Sequence, residues 1–313
     1  MARRKISVVG AGFVGSTAAQ RLAETGLGDL VLYDVIEGRP QGLALDLAQS
    51  APLLGFGGSV VGTNDPREMR GSDLVLVTAG VPRKPGMSRS DLLEVNAKIV
   101  LDVARHLRED SRDAVVVVVT NPLDVMTYLM RAKTGFPTSR VLGMAGVLDS
   151  ARFASFLAWE MGVRPADVNA MVLGGHGDAM VPLVRYSTAF GVSVEKLLSR
   201  EALDRLVKRT RDGGAEIVGL LKTGSAYYAP SASAVAMIRS ILLDEKRLLP
   251  CAAHLNGPFG LEDVYMGVPC VLGSGGVERV VELDLTAEER AALHRSAEAV
   301  RKDLDVLREK GLL

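Results

Sequence analysis

Cysteine is nearly absent. Only Cys251 and Cys270 occur among 313 residues, with no CxxC pair or Cys/His cluster of zinc-ligand type. That excludes a disulfide-framed secreted scaffold and a structural zinc site, and no metal is expected. An excess of charge is also missing: Lys plus Arg is 37 and Asp plus Glu is 37, so 37 − 37 = 0. Proteins that neutralise a phosphate backbone carry a basic excess, so nucleic acid is not an expected partner. Long apolar runs are lacking. The stretch at 114–119 falls far short of the roughly 20 residues that span a bilayer, so no membrane partner is expected. The basic start Met1-Ala2-Arg3-Arg4-Lys5 leads into a short strand and a glycine loop, not into the apolar segment and cleavage site of a secretory leader. A soluble cytoplasmic protein is the expectation. Repeats and tracts rich in Pro, Gly or Ser are missing too, so the two halves of the chain should pack closely. What remains is ordinary for a packed protein: 48% hydrophobic and 24% charged residues, in a chain with length for about two domains and a core that needs no staples.

The first half alternates short β-branched runs with stretches of helical composition. Residues 6–9, 30–33, 59–61, 74–77, 115–119 and 141–142 read as strands. Residues 115–119 are five consecutive valines, and a strand apolar on both faces belongs inside a parallel sheet covered by helices. The β-α-β-α order predicts an α/β fold, a Rossmann doubly wound parallel sheet, over residues 1–147. From 148 to 313 the pattern becomes mixed α+β. It shows helices at 149–162, 200–222 and 231–243, and strands at 168–173, 181–184, 249–254, 264–272 and 277–283. The closing helix starts from a Thr286/Glu289 capping box and carries Leu293, Val300, Leu304 and Leu307 on one face. That face reads as core or subunit packing.

Gly10-Ala11-Gly12-Phe13-Val14-Gly15 follows the first strand and opens a helix. Gly10 permits the tight turn, Gly12 leaves room for a pyrophosphate against the backbone, and Gly15 lets the helix pack close to the sheet. The motif alone is weak evidence, but its context fits. Asp34 closes the second strand 34 − 15 = 19 residues beyond Gly15, where a carboxylate accepts hydrogen bonds from the adenosine ribose. The alternative for Asp34 is a strand-end residue capping a turn.

Four histidines occur. His106 and His294 sit in charged helical segments and read as solvated. His254 has no obvious partner. His176 lies in Leu173-Gly174-Gly175-His176-Gly177-Asp178, where glycines leave room for a ligand. An imidazole exchanges protons near neutral pH, although a histidine in a glycine-rich turn reads equally well as structural. Asp149 and Arg152, in Leu148-Asp149-Ser150-Ala151-Arg152-Phe153, are three apart and share a helix face. The carboxylate suits an imidazole partner and the guanidinium suits a bidentate grip on a carboxylate; a wet i,i+3 ion pair is the bland alternative. The segment Val81-Pro82-Arg83-Lys84-Pro85-Gly86-Met87-Ser88-Arg89 follows a strand end and reads either as a cationic lid over an anion or as a solvated basic loop. Val119-Thr120-Asn121-Pro122 ends the valine strand, and Asn121 is placed either for a ribose or substrate oxygen or as a turn former.

In this order, GAGFVG with Asp34, AGVPRKPGMSR, VTNPLDV, LDSARF and GGHGD resemble the lactate and malate dehydrogenase superfamily over essentially the whole chain, most closely its lactate-dehydrogenase-like malate dehydrogenases. The resemblance implies an oxidoreductase that moves a hydride between malate and NAD, giving oxaloacetate and NADH, a reaction of the tricarboxylic acid cycle. It implies His176 as the proton donor and acceptor, paired to Asp149. Arg152 would bind the carboxylate beside the reacting carbon, Arg89 would polarise the carbonyl, and Arg83 would select the far end of a dicarboxylate. Asn121 would touch both nicotinamide ribose and substrate. Further cofactor contacts would be Gly10, Ala11, Gly12, Phe13, Val14, Gly15, Asp34, Asn96, Val119 and Thr120. Ala226 would lie at the pocket wall, and the molecule would be a homodimer or homotetramer. Lactate dehydrogenases typically carry an uncharged residue at the position of Arg83. A guanidinium buried there without a counter-charge would cost several kcal/mol, so a methyl-bearing substrate fits poorly.

Three rivals stand beside this reading. Another 2-hydroxy acid shares the machinery and differs at Arg83. An NAD-dependent glycosidase needs a divalent metal, commonly with Cys and His ligands, and neither cysteine lies near His176 in sequence. A non-catalytic NAD-binding module has no use for His176, Asp149 and three separated arginines. The charge of Asp34 should repel a 2′-phosphate. Steady-state rates with NAD and NADP should therefore differ strongly in favour of NAD, and equal catalytic efficiencies would refute the role of Asp34.

Overall fold

The computed structural model describes residues 3–82 and 88–313. The first half contributes the strands β1 (Lys5–Val9), β2 (Asp29–Tyr33), β3 (Val60–Thr63), β4 (Leu74–Val77), β5 (Val115–Val118) and β6 (Val141–Gly143). Between them lie α1 (Phe13–Thr25), α2 (Arg39–Leu54), α3 (Arg89–Asp110) and α4 (Leu123–Thr134). The six strands are parallel in the order β3-β2-β1-β4-β5-β6. This is the doubly wound order, with the chain reversing its direction of travel between β1 and β4. The two sides of that reversal are tied by Thr78, whose hydroxyl donates to the carbonyls of Val9 and Gly10, both at 3.1 Å.

The valine strand explains itself physically. All four residues of β5 are buried, because helices cover the sheet on each face. The strand ends at Val118, one residue short of the run. Its partner β4 ends at Val77, and beyond that point the chains leave the sheet, at the carboxyl ends of strands where open α/β sheets bind ligands.

The second half contributes α5 (Gly146–Met161), β7 (Val168–Leu173), β8 (Val181–Ala189), β9 (Val192–Ser193), α6 (Arg200–Leu221), α7 (Tyr228–Leu242), β10 (Arg247–Leu255), β11 (Val264–Gly273), β12 (Gly276–Val280) and α8 (Ala287–Glu309). Strands β10, β11 and β12 are antiparallel and extend the first sheet past β6 to nine strands. The seam is narrow: β10 meets β6 at one register pair, Ala252 with Gly143. Strands β7, β8 and β9 form a separate antiparallel sheet, packed with α5 and α6 over a small core that includes Phe153, Phe156, Leu157 and Leu206. The large core runs through both halves of the chain and takes in Leu293, Val300, Leu304 and Leu307 of α8.

Some boundaries differ from the sequence expectations. Strand β8 extends to Ala189, well past 184, because Thr188 and Ala189 pair with β7 on one side and β9 on the other; Arg185 and Tyr186 had hidden the run. Helix α5 begins at Gly146 rather than 149, which places Asp149 in its first turn. Three histidines are also better held than expected. His106 is only 15% exposed at its side chain, near Asp102. His294 donates from Nε2 to the Phe259 carbonyl at 2.9 Å. His254 has a partner after all, donating from Nε2 to Asp263 at 3.0 Å, with the Tyr128 hydroxyl on the other carboxylate oxygen at 2.8 Å. None of these partners lies within eight residues of His254 or His294 in the chain, so neither was visible locally. No helix among the described residues is long and apolar enough to cross a membrane.

Candidate active site

The glycine loop sits at the reversal between β1 and β4. Gly10 has a φ of +102°, and a Cβ there would lie 2.7 Å from the Ala79 nitrogen. At Gly15 a Cβ would lie 1.8 Å from the Gly10 carbonyl oxygen, so the first turn of α1 is pressed directly onto the loop. Gly12 is the opposite case: a Cβ there would meet nothing within 4 Å, and that side of the loop faces open space. The first turn of α1 carries no acidic residue and no side-chain cap. Its peptide N–H groups and dipole are therefore available to an anion. Phe13 is exposed and stacks on Tyr227, with ring centroids 5.2 Å apart. Val14 is half-buried beside it. These features fit a pyrophosphate-bearing dinucleotide.

Asp34 stands just beyond the end of β2. Its carboxylate accepts from the Ala11 N–H at 2.6 Å and the Ile36 N–H at 2.9 Å. It thus caps the turn and fixes the glycine loop at once, and each oxygen keeps a lone pair for a ribose hydroxyl. Across the crevice, Thr120 is buried and donates to the Ala79 carbonyl at 2.7 Å. Val119 is half-buried and Asn121 exposed. Asn96 lies behind them, 1% exposed. Its Oδ1 accepts from the Val81 N–H at 2.8 Å, and its Nδ2 donates to the carbonyls of Asn121 at 2.7 Å and Val81 at 3.2 Å. Its amide ties two loops together from beneath, rather than facing outward.

The reactive cluster is compact. His176 Nδ1 donates to Asp149 Oδ2 at 2.9 Å, and Arg152 donates to Asp149 Oδ1 at 3.2 Å. The Asp149 side chain is 3% exposed, Arg152 10% and His176 19%. Asp149 and Arg152 are thus no wet ion pair, and a buried carboxylate needs such partners. Helix α6 passes close against Arg152: at Gly213 a Cβ would lie 2.3 Å from Arg152 Cδ. Burial by itself would pull the His176 imidazole below its ordinary value. The charge and hydrogen bond of Asp149, aided by the charge of Asp124, outweigh that and raise it.

Asp124 was not anticipated. It is the second residue of α4 and 4% exposed. Its Oδ2 accepts from the His176 peptide N–H at 2.9 Å. Its Oδ1 is buried without a hydrogen-bond partner among the described residues. Burial pushes this carboxyl up to about 6, the His176 N–H bond working the other way. Because the folded form holds the proton more tightly than an unfolded chain, this group weakens the fold as pH climbs from 3.8 to about 6. An acidic residue one turn beyond Asn121, set among the apolar Leu123, Val125 and Met126, was the available signal. Gly213 and Ser296, whose hydroxyl accepts from the Gly175 N–H at 2.8 Å, had none.

Arg83 lies outside the described residues, as does the side chain of Arg89, whose backbone opens α3. Ala226 is half-buried at the approach to α7.

Two family models match nearly the whole chain. Residues 4–143 match the lactate/malate dehydrogenase NAD binding domain, and residues 146–310 the lactate/malate dehydrogenase alpha/beta C-terminal domain. The chain is 56% identical over 307 residues to the malate dehydrogenase of Roseiflexus castenholzii, covering 98% of this chain and 99% of the relative. Among solved structures it is similar to the malate dehydrogenase of Salinibacter ruber, at 48% identity and a TM-score of 0.94. It is equally similar in fold to the lactate dehydrogenase of Cryptosporidium parvum complexed with lactic acid and nicotinamide adenine dinucleotide, at 42% identity and a TM-score of 0.95. Each comparison covers 98% of this chain and 99% of the other.

Two glycine substitutions separate packing from ligand access. Gly15→Ala should lower the melting temperature of the free protein, since forced overpacking costs about 1–3 kcal/mol or more. Gly12→Ala should leave that melting temperature nearly unchanged and weaken NADH binding, measured by fluorescence titration. A silent Gly12→Ala in both assays would remove the loop from the cofactor site.

Proposed function

The chain belongs to the lactate/malate dehydrogenase family, and from that premise we propose that it is an NAD-dependent malate dehydrogenase, interconverting malate and oxaloacetate. The observation that carries the chemistry is the shared carboxylate of Asp149, bonded on one side to an imidazole and on the other to a guanidinium. The relatives named malate dehydrogenase at 52–56% identity favour the dicarboxylate. The fold does not make that choice, since a lactate dehydrogenase matches it equally well. Arg83 does: in the family's pattern it faces the far end of the substrate, where a second carboxylate satisfies it and a methyl group leaves it unpaired. Sites built around a polar partner discriminate by about 10⁴ or more.

The residues present divide the work as follows. The loop from Gly10 to Gly15 and the N-terminus of α1 hold the pyrophosphate, Asp34 the adenosine ribose, and Val119, Thr120 and Asn121 the nicotinamide end. Asn96 acts from beneath by holding the Asn121 backbone. Bound NAD supplies the hydride acceptor at the substrate's C2. Arg152 holds the carboxylate beside that carbon, and Arg89 steadies negative charge on the reacting oxygen. With Nδ1 committed to Asp149, Nε2 of His176 has no hydrogen bond among the described residues, and there it takes the hydroxyl proton of malate. The imidazolium that results is offset by Asp149. In the reverse direction His176 starts protonated and returns the proton to the carbonyl oxygen. The division at residues 147 and 148, the homodimeric or homotetrameric state and the cytoplasmic setting belong to the same reading.

Direction-dependent pH profiles follow. Oxaloacetate reduction needs the protonated ring, so kcat/KM should fall as pH rises through the raised His176 pKa, while malate oxidation should rise through the same midpoint. Asp149→Asn removes the main raising cause and should move both midpoints to lower pH. His176→Asn should nearly abolish turnover with NADH binding retained; loss of both would assign the residue to folding. Initial rates of NADH oxidation with oxaloacetate and with pyruvate decide the substrate. Arg83→Gln should lower the oxaloacetate rate by orders of magnitude and raise the pyruvate-to-oxaloacetate ratio, and an unchanged preference would overturn the choice of malate.

A further inference from the structure

The loop that carries His176 is held through three consecutive peptide N–H groups by three separate elements. Gly174 donates to the Gly267 carbonyl of β11 at 2.9 Å. Gly175 donates to the Ser296 hydroxyl of α8 at 2.8 Å. His176 itself donates to the Asp124 carboxylate of α4 at 2.9 Å. The first two partners are neutral. The third is a carboxylate, buried, with one oxygen lacking any hydrogen-bond partner among the described residues. A neutral acceptor would fix the backbone as well as its two neighbours do. Leaving a carboxylate oxygen buried and unpaired is unfavourable, and its retention beside an imidazole calls for a use of the charge.

We propose that Asp124 is a positioning residue for the reaction, fixing the His176 backbone and adding a second negative charge that favours the protonated ring. The proposal rests on the proton-relay reading of His176. Asp149 and Arg152 from α5 and Asp124 from α4 are the charged groups that act most strongly on that ring among the described residues. Arg152 opposes protonation, and Asp149 and Asp124 favour it. Asp149 bonds the ring directly and sets its orientation. Asp124 acts through the backbone and through space. The carboxyl of Asp124 is pushed up to about 6, so it is ionised in the neutral range where the relay works and discharges below it. Two coupled groups titrate in shared steps rather than independently.

The test is Asp124→Asn in the full chain. The substitution keeps shape and an acceptor for the His176 N–H while removing the charge. The pH midpoint of the His176 ring, read by NMR of histidine-labelled protein and assigned with His176→Asn, should move to lower pH by about 1 unit, the usual effect of a nearby charge. The midpoint of oxaloacetate reduction should move with it, and the dissociation constant for NADH should stay within about twofold. A ring midpoint unchanged in Asp124→Asn overturns the proposal, because a purely structural acceptor would alter stability without moving it. A moved ring midpoint with no matching step in the rate profile supports the role of Asp124 and counts instead against His176 as the proton relay. If the variant does not fold, the wild-type protein answers the same question. With aspartate labelled at the carboxyl carbon, Asp124 and the His176 ring should show steps in common, and an Asp124 carboxyl that titrates without any step shared by the ring refutes the coupling.

Discussion

Asp149 is one buried carboxylate asked to serve two cations. Its two oxygens are divided, one to His176 and one to Arg152, and neither partner could stand alone so far from water. An unpaired guanidinium at that depth would be strongly unfavourable, and an unpaired imidazole would lose its proton. The arrangement commits Nδ1 of the imidazole to Asp149 and so fixes the orientation of the ring. It also sets a charge balance. With His176 protonated, the described groups around it are two cations, His176 and Arg152, and two anions, Asp149 and Asp124. With the ring neutral, one negative charge is left in excess. The cluster is therefore closest to neutrality with the ring protonated.

The fold places the glycine loop and the His176 cluster by different routes. The nucleotide loop is placed by the reversal of the parallel sheet, where β1 and β4 diverge and the chain must leave the sheet. The reactive cluster is placed by α5, which follows β6 at the edge of the parallel part, and by the turn after β7. A pair of backbone hydrogen bonds between Gly174 and Gly267, at 2.9 and 3.1 Å, joins that turn to the extended sheet. The smaller antiparallel sheet is thereby fixed to the larger one at the turn that carries His176.

What could be read from the sequence was what depends on local order. The valine run, the glycine loop and the spacing of Asp149 and Arg152 all concern neighbours in the chain, and each placed its element correctly to within a few residues. What could not be read depends on contacts between distant segments. Nothing near β6 tells that three strands from the far half extend its sheet. Nothing near Gly213 tells that a side chain there would strike Arg152. The partners of His254 and His294 lie nine and 35 residues away in the chain, and the two loops that the buried Asn96 amide joins are themselves 15 and 25 residues from it. Asp124 stands inside the VTNPLDV motif, but its contact is not a local one, because its partner is the peptide of a residue 52 positions on.

The anchoring of the histidine turn has a consequence for how the molecule is made. Its three holding groups come from residues 124, 267 and 296, and the last belongs to the closing helix. During synthesis the six parallel strands emerge long before residue 296 leaves the ribosome. The turn that carries His176 thus lacks its Ser296 anchor until residue 296 has emerged.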